Sequence, residues 1–84
     1  SQSETPVTPQ GRAIEMVLIG LRLASGLDLA RLERLTGLVR YEVISEENLA
    51  AMVTEGLITL SSDTVQTTRR GRLVLNGIVQ ALLG

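Results

Sequence analysis

The side chains that carry most protein chemistry are missing from this sequence. It has no Cys and no His. Without thiolate or imidazole, the ordinary zinc, haem-histidine and iron–sulfur ligand sets cannot be assembled. The commonest general base is lost, and a Ser-His-Asp triad is impossible. What remains is carboxylates, arginines, hydroxyls, one Tyr and two Met. Glu46 and Glu47 are adjacent, so on a helix they diverge and do not form an acid/base pair. Tyr41 reads as a packing residue. Met16 and Met52 could in principle ligate a haem iron, but Met at helical spacing is usually core. Gly20, Gly26, Gly37 and Gly56 do not make a phosphate-loop pattern. Arg69, Arg70 and Arg72 form the strongest nucleic-acid signal; the blander reading, which we favour, is a solvated helix start or a patch docking onto an acidic protein surface.

The rest of the composition narrows the field further. A chain of 84 residues holds one domain and buries a limited share of its surface. Hydrophobic residues make up 44% of it, with Tyr41 the single aromatic, so the core must be aliphatic. Every basic residue is Arg, and the net charge of −1 gives no electrostatic case for nucleic acid or an anionic membrane. The apolar run Met16–Gly20 is too short to span a bilayer, and the first residues lack a signal-peptide plan. The cytoplasm is the expected location.

Any functional residue must be positioned by the elements the pattern implies. Residues 1–10 contain both prolines, Pro6 and Pro9, and read as a flexible linker or cloning remnant; residues 11–84 form the domain. Ala13–Ala24 has helical periodicity, with Ile14, Val17, Leu18 and Leu21 on one stripe and Met16, Ile19 and Leu23 on the other. Ser25-Gly26 should stop this helix. Asp28 can cap a second helix to about Thr36, with Leu29, Leu32 and Leu35 inward and Gly37 at its end. Val39–Ile44 is ambiguous and has room for an extended stretch. Ser45 caps a third helix to about Glu55, with Glu46 and Glu47 at the positive end of its dipole. Leu49, Met52 and Val53 face inward, and Gly56 follows. Leu57–Leu60 and Thr64–Thr67 are β-prone and flank a Ser61-Ser62-Asp63 turn. Thr68 caps a last helix, about Arg70–Leu83, with Leu75, Ile78, Val79 and Leu82 on one face.

The resulting fold class is mainly α with a small β-hairpin, in the order helix-helix-helix-hairpin-helix. That is a winged-helix-like plan, with the hairpin as wing. A DNA-binding winged helix would insert the third helix into the major groove. Here that helix carries Glu46, Glu47 and Glu55 and no Arg or Lys, and phosphate contacts supply nearly all non-specific DNA affinity. A transcription regulator is therefore the runner-up, and a generic protein-interaction module is a third possibility.

Three blocks carry a family resemblance: Glu15-Met16-Val17-Leu18-Ile19-Gly20-Leu21-Arg22-Leu23-Ala24-Ser25-Gly26-Leu27-Asp28, then Leu49 to Ile58, then Thr68-Arg69-Arg70-Gly71-Arg72-Leu73-Val74-Leu75-Asn76. Together they resemble the C-terminal domain of oxygen-independent coproporphyrinogen III oxidases and their relatives, the radical-SAM haem chaperones (HemN/HemW-like). The resemblance spans roughly Glu15 to Leu83; its first and last blocks are the specific ones. It implies a non-catalytic accessory domain that packs beside an upstream radical-SAM barrel and helps cover it. It also implies an iron–sulfur cluster and S-adenosylmethionine in that parent protein, with no cofactor in this chain, because the three-cysteine motif is absent. No catalytic residue carries over.

The expected contact with the barrel is the second stripe of the first helix. Met16, Ile19 and Leu23 would form an exposed apolar patch, with Arg22 at its edge to pair with an acidic group. The isolated domain would then self-associate weakly through the same patch. The alternative is that the stretch after Gly37, or the last helix, covers the stripe within the domain.

Overall fold

The computed structural model describes residues 8–84. Helix α1 runs Pro9–Gly20 and starts on Thr8, whose hydroxyl accepts from the Gly11 amide at 3.0 Å. Pro9 at the first helical position has no N–H to leave unsatisfied. The helix therefore opens four residues earlier than periodicity suggested, because the cap lies outside the apolar repeat. Of the residues assigned to a linker, Thr8–Gln10 cap and open α1, and residues 1–7 lie outside the described part. The helix also ends earlier, at Gly20, and a turn carries the chain to Gly26, where φ is +85°.

Strand β1, Leu27–Asp28, follows, and Asp28 caps α2, Leu29–Thr36, by accepting from the Arg31 amide. Gly37 ends α2 in the left-handed region. The ambiguous stretch forms a 3₁₀ turn at Arg40–Glu42, not a strand. Ser45 caps α3, Glu46–Thr54. Strands β2, Ile58–Ser61, and β3, Thr64–Thr67, make the wing, turning at Ser62-Asp63 with Ser62 at φ +55°. The sheet has three antiparallel strands in the order β1-β3-β2, with Leu27 opposite Val65 and Leu60 also opposite Val65. Two residues were too few for β1 to show in the sequence. It forms because β3 offers its second edge.

The last helix is two helices. Thr68 caps α4, Arg69–Arg72, and the chain breaks at Val74, with φ −127° and ψ 34°, before α5, Leu75–Leu83. The mainly helical winged-helix-like plan with a small hairpin holds, with one more strand and one more helix than expected.

The core is aliphatic. Ala13, Val17 and Leu21 from the α1 segment meet Leu27, Leu29, Leu32, Ile44, Leu49, Met52, Ile58 and Val65, with Ile78, Val79 and Leu82 from α5. Ile14, Leu35 and Val53, each expected to face inward, are exposed instead. Ala13 takes the place assigned to Ile14, because small residues let α1 approach its neighbours closely. Glycine serves the same end at α4. A Cβ on Gly71 would collide with the carbonyl oxygen of Leu57. Thr68 sits at that crossing and donates to the Gly56 and Leu57 carbonyls at 2.7 and 3.0 Å.

Candidate interdomain surface

The turn joining α1 to β1 is the exposed feature on which the conspicuous side chains converge. It is fastened to β3 from both sides: Gln66 Nε2 donates to the Ala24 carbonyl at 2.6 Å and Thr67 Oγ1 to the Leu21 carbonyl at 3.2 Å. Gly20 lets α1 end directly on β1, where an added Cβ would lie 2.9 Å from Leu27 Cα. A hollow of about 390 Å³ opens on one side of the turn, lined by Met16, Ile19, Leu23, Leu27, Asp28 and Arg31 among others. Ile19 is 58% exposed and Leu23 49%. Met16 is half-buried and leans on the core.

Met16, Ile19 and Leu23 therefore come together. Arg22 does not join them. Its Nη1 donates to the Leu18 carbonyl at 2.7 Å, and it lines a second hollow of about 340 Å³ with Leu21, Ala24, Thr67, Arg72 and Leu75. The cation at the apolar hollow is Arg31, which spacing along α1 could not reveal because it arrives on α2.

A second polar cluster, invisible to spacing arguments, lies at the wing. Arg40 donates from Nε and Nη2 to the two carboxylate oxygens of Glu33, at 3.1 and 3.0 Å, and from Nη1 to Asp63 at 2.8 Å. The Arg40 amide also donates to Glu33 Oε2 at 2.8 Å. Hydrogen bonds from the Arg40 side chain, then from its backbone, hold the Glu33 carboxyl below its ordinary value of 4.5. The same partners raise the guanidinium pKa. This cluster ties α2 to the wing turn, which the Leu29 amide also reaches through the Asp63 carbonyl at 2.8 Å. It is a brace: both Glu33 carboxylate oxygens and Asp63 Oδ1 accept from Arg40.

The third helix keeps the acidic character read from the sequence. Glu46 and Glu47 occupy its first turn and Glu55 its C-cap, all exposed.

A family model described as the HemN C-terminal domain matches residues 7–74. The chain belongs to the HemN C-terminal domain family. That is the coproporphyrinogen-oxidase-like, radical-SAM family context to which the sequence blocks pointed. No curated protein and no solved structure matches the chain. In this HemN C-terminal domain the residues of the two specific blocks do structural work. Gly20 and Gly71 permit close crossings, and Thr68 joins α4 to the Gly56–Leu57 segment that leads into β2. The matched span ends before α5, yet α5 closes the core and is bonded to α3. The Ser45 amide donates to the Leu82 carbonyl, and Asn48 Nδ2 to the Ala81 carbonyl, each at 2.8 Å. An iron–sulfur cluster does not fit this HemN C-terminal domain. The sequence has no Cys or His, and among the described residues no group of three or more His, Cys, Asp or Glu could hold a metal ion. Among the described residues, no helix is long and apolar enough to cross a membrane.

Proposed function

We propose that this chain is the non-catalytic accessory domain of a radical-SAM, coproporphyrinogen-oxidase-like protein of porphyrin synthesis or haem trafficking. It docks on the catalytic barrel upstream and helps cover it. The iron–sulfur cluster and S-adenosylmethionine belong to that barrel. The observation that carries the docking is the hollow beside the α1–β1 turn, where Ile19 and Leu23 stay exposed. Large apolar side chains grouped around a concavity mark a contact surface. Each aliphatic side chain fully buried there contributes about 1.5–3 kcal/mol, enough for a weak contact once the cost of association is met.

Two experiments test this. A radical-SAM barrel encoded directly upstream is required; a different upstream domain overturns the reading. Sedimentation equilibrium of the isolated chain should show weak self-association that an Ile19→Ser, Leu23→Ser variant abolishes at unchanged thermal stability. Adding Met16→Ser should lower stability as well, because Met16 leans on the core. If the double variant loses stability instead, the stripe is core and not an interface.

A further inference from the structure

Of the eight arginines, Arg40 is the one in an ion pair among the described residues. Arg40, used as a brace, directs all three guanidinium nitrogens at carboxylates. Arg22 and Arg72 are treated differently. They come from the two specific sequence blocks, one just past α1 and one at the end of α4, and both line the second hollow. Among the described residues the hollow is lined otherwise by Leu21, Ala24, Thr67 and Leu75, with no acidic side chain. Arg22 is held in place by the Leu18 carbonyl, which leaves most of its donors directed elsewhere. Leu73, next to Arg72 in the chain, is 84% exposed, and Val74 is 48% exposed. Two guanidiniums with no carboxylate partner among the described residues, over a largely apolar floor and beside exposed aliphatic side chains, are complementary to an acidic segment that carries apolar residues.

We propose that Arg22 and Arg72 form a carboxylate clamp that receives a Glu or Asp side chain of an acidic, leucine-bearing segment of the partner domain, with Leu73 as the adjoining apolar contact. This rests on the docking reading for the identity of the partner and extends it. The two hollows flank the same 21–26 turn, so a partner straddling that turn engages Ile19 and Leu23 on one side and the clamp on the other. The turn is fastened to β3 by Gln66 and Thr67, which pre-orders both contacts before docking.

The test uses the chain itself and a synthetic peptide of alternating Leu and Glu, so it reports on the clamp whether or not a barrel is found upstream. Titration followed by nuclear magnetic resonance should move the Arg22 and Arg72 side-chain Nε–H signals and the Thr67 amide together, with an affinity that falls as salt rises. Arg22→Glu with Arg72→Glu should weaken binding at least ~10-fold. Arg12→Glu with Arg34→Glu, an equal change of net charge at two exposed arginines that line neither hollow, should leave it within about twofold. Leu73→Ser should weaken binding without moving the arginine signals of the free chain. All of these side chains are exposed, and circular dichroism should confirm retained helix. The glutamine pair, Arg22→Gln with Arg72→Gln, repeats the loss if the charge-reversed variant misfolds. Absence of binding, or equal loss in the Arg12/Arg34 control, overturns the clamp.

Discussion

At the scale of single residues, two positions decide how this domain holds together. Gly71 passes the Leu57 carbonyl where no Cβ fits. Gly71→Ala should therefore push α4 off β2 and cost about 1–3 kcal/mol, as overpacking of a close crossing does. Chemical denaturation with a fluorescent reporter dye checks this, and an unchanged midpoint would show that the backbone yields. The second position is Glu33. Its carboxyl is held below 4.5 in the folded chain, first by the Arg40 side-chain hydrogen bonds and then by the Arg40 amide. A depressed folded-state value means that the contribution to stability is fully present above the unfolded value and is lost as pH falls through the folded one. Thermal stability of the natural chain should thus drop more steeply than that of Glu33→Gln as pH is lowered from about 5 to about 3. Parallel curves for the two proteins would remove Glu33 from the brace. The Glu33–Arg40–Asp63 cluster was not legible in the sequence, since nothing in spacing places residue 33 against residues 40 and 63.

At the scale of elements, the caps were legible and the register of burial was less so. Asp28, Ser45 and Thr68 each accept a backbone amide at the helix start where a short polar side chain was read as a cap. Such caps are local, and local chemistry survives folding. The division of the last helix into α4 and α5 was not legible, because Arg70–Leu83 contains no proline and its periodicity continues past the break. α5 has the clearest consequence for testing. It brings Ile78, Val79 and Leu82 into the core, although the family match stops at residue 74. At roughly 1.5–3 kcal/mol for each buried aliphatic side chain, their loss rivals the ~5–15 kcal/mol total stability of a small domain. A chain ended after Val74 should lack cooperative unfolding and dispersed amide resonances. A folded truncated chain would show that α5 is an ornament and not a wall of the core.

At the scale of the whole molecule, charge placement separates the accessory-domain reading from the DNA-binding one. The helix that a winged helix would present to a groove, α3, has Glu46 and Glu47 in its first turn and Glu55 at its C-cap, and the wing's Asp63 is engaged by Arg40. The arginines outside ion pairs among the described residues lie on α1, α2 and α4 or beside them, whereas α3 carries none; a groove-reading helix needs its own or flanking cations. Fluorescence anisotropy with mixed-sequence duplex at physiological salt should therefore show no affinity tighter than about 10⁻⁶ M. Tighter binding would restore the regulator reading, with Arg69, Arg70 and Arg72 as its first suspects.

By itself the sequence determined the chemistry this chain cannot perform, the aliphatic core, the capped helix starts, the wing and the family. Each of these depends on residue type or on contacts within a few positions. Tertiary structure alone decided that Ala13 and not Ile14 faces the core, and that α1 stops at Gly20. It also decided that β1 joins the sheet and that Arg22 lines a different hollow from Met16, Ile19 and Leu23, one that Arg72 also lines. Those outcomes depend on which segments approach one another and how closely. That is set by packing among residues far apart in the chain, to which a period of 3.6 or 2 is blind.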